Sequence, residues 1–432
     1  MGVKTPIVPY DGAWVVRARD GASPLRDGKE GVHVSSSPAL PRFPFDTPPS
    51  LDHEPEHARL RAEGPLVRAR LADGTEVWVA TGHAACRAVL ADPRFSRAAG
   101  SAPGAPTITP GITANPENML NMDAPEHARL RRLVAGVFTS RVVEQRRPRV
   151  QEITDRLLDD MVAHGPPADL VELVAMPLPI TVVCDLLGMP YEDVEPIRHW
   201  SEVTQSVGAY SVEEIMAAVG DFEAYLAGLI ATKHHHPGDD LVTRLIEARD
   251  QDDRLNDVEL LQMIAGVIIA GHETTSSLLP LALLTLFRHP EQLALLRSRP
   301  DLVPTAVDEL LRFTRLLPAA FSRTATEDVE VEGVTVPAGD TVFPLLYSAN
   351  RDAAVYAEPD RLDVARQGPP HLTFGLGPHV CLGAPLARVE LQVAIASLLC
   401  RFPSLELAMP EDELEWRAGR FIRGVRAFPL RW

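Results

Sequence analysis

The sequence feature that most constrains this chain is a single cysteine placed between a glycine-rich turn and the start of a helix. Residues 374–383 read FGLGPHVCLG, and the run that follows has helical spacing with Pro385 in its first turn. The glycines allow backbone N–H groups to approach the sulfur of Cys381, and the electropositive end of the helix faces it. Both effects favour the thiolate, so the segment predicts that Cys381 is a metal ligand.

The other three cysteines have the pattern of ordinary buried residues. Cys86, Cys184 and Cys400 lie within apolar helical runs, where a free cysteine behaves as a small hydrophobic side chain. The chain contains no CxxC pair, which argues against a zinc site or a disulfide framework and is consistent with a reducing cytoplasm. Only Cys381 has surroundings that call for a special role.

Helical periodicity dominates the sequence from Glu54 onward. Apolar residues recur at helical spacing in runs that predict helices over 54–63, 82–91, 125–138, 141–163, 191–206, 211–234, 257–288, 301–315 and 383–401. Period-two alternation is confined to two places, 66–80 and 329–347, where Asp73-Gly74 and Glu332-Gly333 predict hairpin turns. The pattern predicts a mainly α (α+β) fold with a helical body and a small β-rich region.

The composition divides the chain near residue 41. Residues 1–41 are rich in Gly, Pro, Ser and charge without any periodicity, and we expect an N-terminal leader that is either disordered or docked. We expect residues 42–432 to form a single folded domain. Within that domain, residues 96–120 make a loop long enough to serve as the wall or lid of a binding pocket.

Charge and hydropathy exclude several kinds of partner. Lys plus Arg total 42 against 59 Asp plus Glu, and the net charge of -17 argues against a nucleic acid or an anionic membrane. No signal peptide is visible, and the longest apolar runs fall short of the roughly 20 residues that cross a bilayer. We therefore expect a cytoplasmic, monomeric protein that acts on a small molecule.

The cysteine segment also carries a family resemblance. FGLGPHVCLG matches the haem-ligand signature FGxGxHxCxG at every fixed position, and the chain resembles the cytochrome P-450 family from Phe43 to its C-terminus. The resemblance implies the cytochrome P-450 fold and a haem b whose iron is bound by the Cys381 thiolate, with Phe374, His379 and Gly383 around the cofactor. An electron-rich thiolate promotes cleavage of an O–O bond at the iron.

A second motif, AGHETT at residues 270–275, lies in a long and mainly apolar helical run. Polar side chains in such a run need partners, because burying them alone is costly. Gly271 removes a side chain where something flat could press against the helix. The resemblance implies that Glu273 and Thr274 are the acid and alcohol that deliver protons to oxygen, and that Ala270 and Gly271 line the cofactor.

The resemblance also implies a structural ion-pair network. Glu309-Leu-Leu-Arg312 has the ExxR pattern of the family, 72 residues before Cys381, and Pro359-Asp-Arg361-Leu resembles the segment that supplies a second arginine. An i,i+3 pair by itself is usually a solvated helix face. We expect Glu309, Arg312 and Arg361 to be buried together near the cysteine and to be structural, not catalytic.

Haem carries two propionates, so its site must provide cations. The residues at the matching family positions are His127, Arg131, Arg323 and His379. Arginine binds a carboxylate through two N–H donors, which favours Arg131 and Arg323 as the stronger ligands. His127 and Arg131 are four apart and share a helix face, and we expect Asp123 to be the N-cap of that helix.

The leading hypothesis is a haem-thiolate monooxygenase that oxidises a C–H bond of a bulky, partly apolar natural product. Oxidative coupling or ring formation by the same oxidant stays open. A catalytically silent haem protein that recruits a partner is a further alternative, but the presence of Glu273 together with Thr274 argues against it. No flavin or nicotinamide motif follows a strand, so electrons must come from a separate ferredoxin and ferredoxin reductase. An acidic ferredoxin needs a basic docking face, for which Arg129, Arg132 and Arg388 are the predicted residues.

Overall fold

The structure is a computed structural model that describes residues 40–45, 51, 55–109, 115–204, 210–252, 255–417 and 420–432. Residues 40–432 form one compact unit. The predicted leader, residues 1–41, lies outside the described residues except for its last two positions, and so does the stretch 110–114 of the predicted loop.

Helices make up most of the described chain. In chain order they are α1 (Pro55–Glu63), α2 (His83–Ala91), α3 (Arg97–Gly100), α4 (Glu126–Ala135), α5 (Ser140–His164), α6 (Pro177–Leu187), α7 (Val194–Thr204), α8 (Val212–His235), α9 (Leu241–Asp252), α10 (Asp257–Phe287), α11 (Pro290–Ser298), α12 (Val303–Phe313), α13 (Leu346–Ala349) and α14 (Ala384–Arg401). Each predicted helical run contains one of these helices, with its ends shifted by a few residues. The mainly helical prediction is therefore confirmed.

Periodicity alone does not reveal α6, α9 or α11. Helix α6 is buried at almost every position from Leu178 to Leu187, so it has no polar face to produce a 3.6-residue period. Helices α9 and α11 have 12 and 9 residues, and neither segment is among the predicted helical runs.

The strands are short and form three sheets. They are β1 (Leu66–Arg70), β2 (Glu76–Ala80), β3 (Phe95–Ser96), β4 (Ala168–Asp169), β5 (Arg323–Ala325), β6 (Val329–Val331), β7 (Val334–Val336), β8 (Thr341–Pro344), β9 (Glu406–Leu407) and β10 (Pro429–Arg431). The largest sheet has the order β1-β2-β8-β5-β3, and the others are β4-β10-β9 and β6-β7.

Both predicted hairpins are confirmed. Strands β1 and β2 pair antiparallel with Leu66 opposite Ala80, and β6 and β7 pair with Val329 opposite Val336. The prediction that strands occur in those two places only is wrong, because β3, β4, β5, β9 and β10 lie elsewhere. Each has two or three residues, too few for period-two alternation to be visible in the sequence.

The central helix α10 organises the core. Its N-terminus is closed by a capping box in which the Asn256 side chain accepts from the Glu259 N–H at 2.8 Å and Glu259 accepts from the Asn256 N–H at 2.9 Å. Its second half is buried without interruption from Thr275 to Leu286. Helices α6 and α14 pack against it, so the motif at residues 270–275 lies within the body of the protein.

Two of the described helices are long and apolar enough to cross a bilayer by length and composition. One is α10, whose apolar window is 72% buried inside the protein, as expected of a core helix. The other is Glu213–His235 of α8, whose window is 22% buried. Asp221 and Glu223 are exposed near the middle of α8, where charges would be costly in hydrocarbon.

The ion-pair network around Glu309 is present but differs from the prediction in one member. Arg312 donates to both carboxylate oxygens of Glu309, at 2.7 and 2.8 Å, and both side chains are 2% exposed. The second arginine is Arg366, whose Nε donates to Glu309 Oε1 at 3.0 Å. Arg361 is 59% exposed and pairs with Glu358 and Asp363. The prediction of Arg361 is wrong. Arg366, five residues further along the chain, lies where the chain turns back towards α12 and is the residue that reaches Glu309.

Candidate active site

The cysteine segment folds back on itself before α14 begins. The Cys381 N–H donates to the Phe374 carbonyl at 2.8 Å, which closes the loop. Gly377 has a positive φ of 75°, and a Cβ there would lie 2.5 Å from the Leu90 carbonyl oxygen. Glycine is therefore needed at this position to let the loop pack on the end of α2, and not to approach the sulfur.

Two opposing effects act on the Cys381 thiol. Burial raises its pKa, while the backbone N–H groups of Gly383 and Ala384 and the positive charge of Arg131 favour the thiolate. Burial prevails, so the pKa lies above the ordinary value, contrary to the expectation from sequence. The residue nevertheless has exposed surface and therefore borders an open space. A cation bound in that space would stabilise the negative charge of the thiolate.

A cluster of cationic and imidazole side chains lies beside the cysteine. The rings of His127 and His379 are stacked with their centroids 4.0 Å apart, and His379 is two residues before Cys381. Arg131 donates to the carbonyl of Val380 at 2.6 Å. Burial, together with Arg323 and the neighbouring His127, lowers the pKa of His379 to about 2, so this imidazole is neutral.

Arg97 belongs to the same cluster and is absent from the predicted set. It is 0% exposed, and burial and the charge of Arg323 lower its pKa to about 9. Arg97 directly follows β3 as the first residue of α3, and Arg323 begins β5, the strand that pairs with β3. Both arginines end a Phe-Ser-Arg tripeptide, and this repetition is a signal that could have identified Arg97.

Arg97 and Arg323 are buried close enough for their positive charges to repel one another, and a bound anion would relieve this repulsion. Asp123 is the nearby acid, and its carboxylate accepts from the Arg97 backbone N–H at 2.8 Å and from Ser96 Oγ. The buried Nε of Arg97 has no hydrogen-bond partner among the described residues. A pair of carboxylates from a cofactor would fit these donors, and the residues present are therefore compatible with haem.

The role of Asp123 differs from the sequence expectation. It is not the N-cap of α4, which begins after Pro125. Its carboxylate instead binds the backbone N–H groups at the start of α3, while its carbonyl accepts from the His127 N–H at 2.9 Å. Asp123 thus joins the segment that carries Arg97 to the segment that carries His127, a tertiary role that local capping rules do not anticipate.

Helix α10 presents an open face one turn before its fully buried half. Ala270 is exposed and Thr274 is half-buried, and residues four apart lie on the same side of a helix. The Thr274 hydroxyl donates to the Ala270 carbonyl at 3.2 Å, which leaves its oxygen lone pairs directed away from the backbone. An exposed alanine on a turn whose other residues are half-buried or buried indicates that this face of α10 borders an open space.

Gly271 does not face that space. A Cβ at this position would lie 2.7 Å from Cγ2 of Val183 in α6, so the glycine permits the close approach of two helices. The expectation that Gly271 leaves room for a flat group is wrong, because Val183 fills the place of the missing side chain. The open face at this level is formed by Ala270 and Thr274.

Glu273 lies on the other side of Thr274 and is held by an arginine from the C-terminal segment. Arg420 donates through Nη1 to Glu273 Oε1 at 3.1 Å and through Nη2 to Glu202 Oε1 at 3.2 Å. The Glu273 side chain is 7% exposed. Burial raises its pKa and outweighs the effect of Arg420, so this carboxyl group holds a proton more readily than an ordinary glutamate.

The fold and the site define a mainly helical protein with a loop cysteine, a neighbouring cation cluster and a buried acid and alcohol on one central helix. The family model of the cytochromes P-450 matches residues 56–298 and 296–423. The chain belongs to the cytochrome P-450 family, and its cofactor is haem. It is an oxidoreductase, which confirms the enzyme prediction.

Its relatives act on natural products. Nocardicin C N-oxygenase of Nocardia uniformis subsp. tsuyamanensis is 49% identical over 392 residues, which cover 90% of this chain and 98% of the relative. Mycinamicin IV hydroxylase/epoxidase of Micromonospora griseorubida is 42% identical over 396 residues, covering 91% and 99%. The crystal structure of HinD with NMFT and NO has a TM-score of 0.86 and 44% identity, covering 92% of this chain and 100% of HinD. The chain is thus a monooxygenase of the secondary-metabolism type.

Proposed function

We propose that Cys381 ligates the haem iron and that the enzyme oxidises a bulky, partly apolar natural product. The observation that carries this proposal is the contact between the cysteine loop and the face of α4 that carries His127 and Arg131. His379 is stacked on His127 two residues before Cys381, and Arg131 is hydrogen-bonded to Val380 between them. A ligand bound there would meet a sulfur donor and anion-binding groups at the same time.

The cluster of cations would hold the two propionates of haem. Arg97, Arg131 and Arg323 provide N–H donors, and His127 and His379 add imidazole N–H groups at the same place. The backbone N–H groups of Gly383 and Ala384 point at the sulfur, and Phe374 closes the loop through its carbonyl. When bound through a thiolate, haem activates O2 for insertion into unactivated bonds.

The open face of α10 would serve the proton transfers. The Thr274 hydroxyl donates its proton to the Ala270 carbonyl. Its oxygen can therefore accept a hydrogen bond from a group in the space beside it. Glu273 is adjacent in sequence and holds a proton readily because it is buried. Acid and alcohol together form a short route by which protons enter the site.

The first experiment tests the ligand. Replacement of Cys381 by Ala or Ser should abolish the absorption band of the reduced carbon monoxide complex that gives the family its name. Cys400→Ala is the matched control, since this cysteine lies at the exposed end of α14 and should leave the band intact. An unchanged band in the Cys381 variants would overturn the assignment.

The second experiment tests the proton route. Thr274→Ala should keep haem content and substrate affinity but divert reducing equivalents to hydrogen peroxide, because the hydroxyl that accepts from the site is lost. Thr275→Ala is a control at the buried neighbouring position. Full coupling of electron use to product in Thr274→Ala would remove this hydroxyl from the mechanism.

The substrate and the electron donor complete the proposal. Relatives named for N-oxygenation and for hydroxylation or epoxidation favour a peptide-derived or macrolide scaffold, and a separate ferredoxin with its reductase would supply electrons to a cytoplasmic, monomeric enzyme. Difference spectra against a panel of peptide-derived and macrolide compounds should show a substrate-induced change for one class. Silence across both classes would reject the scaffold assignment.

A further inference from the structure

A single guanidinium is shared by two carboxylates from different helices. Arg420 donates one N–H to Glu273 of α10 at 3.1 Å and another to Glu202 of α7 at 3.2 Å. The arginine comes from the C-terminal segment, 147 positions after Glu273. The contact therefore ties three distant parts of the chain together at the buried acid.

We propose that Arg420 is a positioning residue that holds Glu273 for proton transfer, and that Glu202 of α7 sets how strongly it does so. The inference rests on the proposed function, in which Glu273 conducts protons. It adds that the proton affinity of Glu273 depends on where α7 places Glu202.

The argument begins with the unequal burial of the two acids. The Glu273 side chain is 7% exposed and that of Arg420 is 14% exposed, whereas Glu202 is 38% exposed. Charges interact more strongly away from water, so Arg420 acts mainly on Glu273. Glu202 binds the second N–H group of the same guanidinium and so competes with Glu273 for it. The negative charge of Glu202 also opposes ionisation of Glu273.

The charged groups around Glu273 act in known directions. Burial raises the pKa of its carboxyl group, Arg420 and Arg417 lower it, and Glu202 raises it. The neighbouring His272 is buried, donates through Nδ1 to the Ile268 carbonyl, and has its pKa lowered by burial, so it stays neutral. The balance at Glu273 is therefore set by the two arginines and Glu202.

This arrangement makes opposite predictions for its two partners. Removing the positive charge of Arg420 should raise the pKa of Glu273, because the largest favourable interaction of the carboxylate is lost. Removing the negative charge of Glu202 should lower it, because a like charge disappears and the guanidinium serves Glu273 alone. A purely structural contact would not produce shifts of opposite sign.

The test follows the carboxyl C=O stretch of Glu273 by difference infrared spectroscopy of the haem-loaded enzyme as a function of pH, assigned with Glu273→Gln. Arg420→Gln should move the titration to higher pH by about 1 pH unit, and Glu202→Gln should move it to lower pH. Arg420→Lys should restore part of the shift. Arg426→Gln is the control, since Arg426 is 69% exposed in the same C-terminal segment.

The pH profile of coupling between electron use and product should move in the same directions as the infrared titration. Shifts of the same sign, or none, in the Arg420 and Glu202 variants would overturn the proposal. Opposite infrared shifts with an unaltered coupling profile would keep the electrostatic link but reject the role of Glu273 in proton delivery. The two failures are thus distinguishable.

Discussion

Arg366 donates through Nε to Oε1 of Glu309 at 3.0 Å, on the same oxygen that accepts from Arg312 Nη2 at 2.8 Å. The guanidinium of Arg366 also donates to the carbonyls of Ala357 and Arg361, so it joins α12 to the segment that precedes the cysteine loop. Two arginines on one buried carboxylate form a network whose members depend on each other.

Loss of either side of this network should destabilise the fold. Glu309→Ala leaves Arg312 buried and unpaired, at a cost of roughly 3–5 kcal/mol, and should give little haem-loaded protein. Arg366→Met should also lower stability, whereas Arg361→Met, at an exposed position, should change it little. Denaturant unfolding and haem content provide the measurement. Equal effects of the Arg366 and Arg361 variants would contradict the assignment.

Replacement of Arg323 should weaken haem retention without lowering the stability of the apoprotein. This cation is buried, donates to the carbonyls of Phe321 and Ser322 at 3.4 and 3.3 Å, is attracted by Asp123 and repels Arg97. Arg323→Leu should therefore speed haem loss while the apoprotein unfolds no more easily, because the cost of burying this charge and its repulsion of Arg97 are removed together. Haem transfer to an acceptor protein and apoprotein melting measure the two effects. The exposed Arg299→Leu should alter neither; a destabilised Arg323→Leu apoprotein would argue against charge repulsion.

The rate of reduction by the electron donor should depend on Arg132 more than on the other two predicted arginines. Arg129 is paired with Glu259, and Arg388 with Asp308 at 2.7 Å, so their charges are partly neutralised. Arg132 is exposed on α4, one residue from Arg131 at the cysteine loop. Arg132→Glu should slow reduction by an acidic ferredoxin and flatten its salt dependence, while the exposed Arg42→Glu should not. Identical kinetics in both variants would move the docking face elsewhere.

The free energy of unfolding should fall as pH rises because of Glu390. This residue of α14 is 1% exposed, neither carboxyl oxygen has a hydrogen-bond partner, and burial raises its pKa to about 8. Below the unfolded pKa of about 4.3 both states are protonated, so the group has no effect on the pH dependence there. Between that value and about 8, unfolding releases a proton, and the free energy of unfolding falls as pH rises.

Replacement of Glu390 by Gln should remove this dependence. Relative to the natural enzyme, the free energy of unfolding of Glu390→Gln should gain about 1.4 kcal/mol for each pH unit across the window. The exposed Glu213→Gln serves as the control. Parallel pH profiles for Glu390→Gln and the natural enzyme, measured by denaturant unfolding, would show that Glu390 is ionised in the folded state.

Features that depend on neighbours along the chain could be predicted from the sequence. The cysteine loop before α14, the capping box of α10 and the hairpins around Asp73-Gly74 and Glu332-Gly333 all follow from local backbone preferences and short-range hydrogen bonds. The family motif around Cys381 predicts the haem cofactor, because its fixed positions lie within ten consecutive residues and need no tertiary information.

Which distant residues meet depends on the tertiary structure. Arg366 and not Arg361 reaches Glu309, Arg97 after β3 lies close to Arg323 of β5, and Arg420 joins Glu273 to Glu202. None of these pairs has a fixed spacing, since each depends on how loops of irregular length bring separate segments together. Burial then sets the energy of each contact, because the same charges that are weakly coupled in water interact strongly once the fold has excluded it.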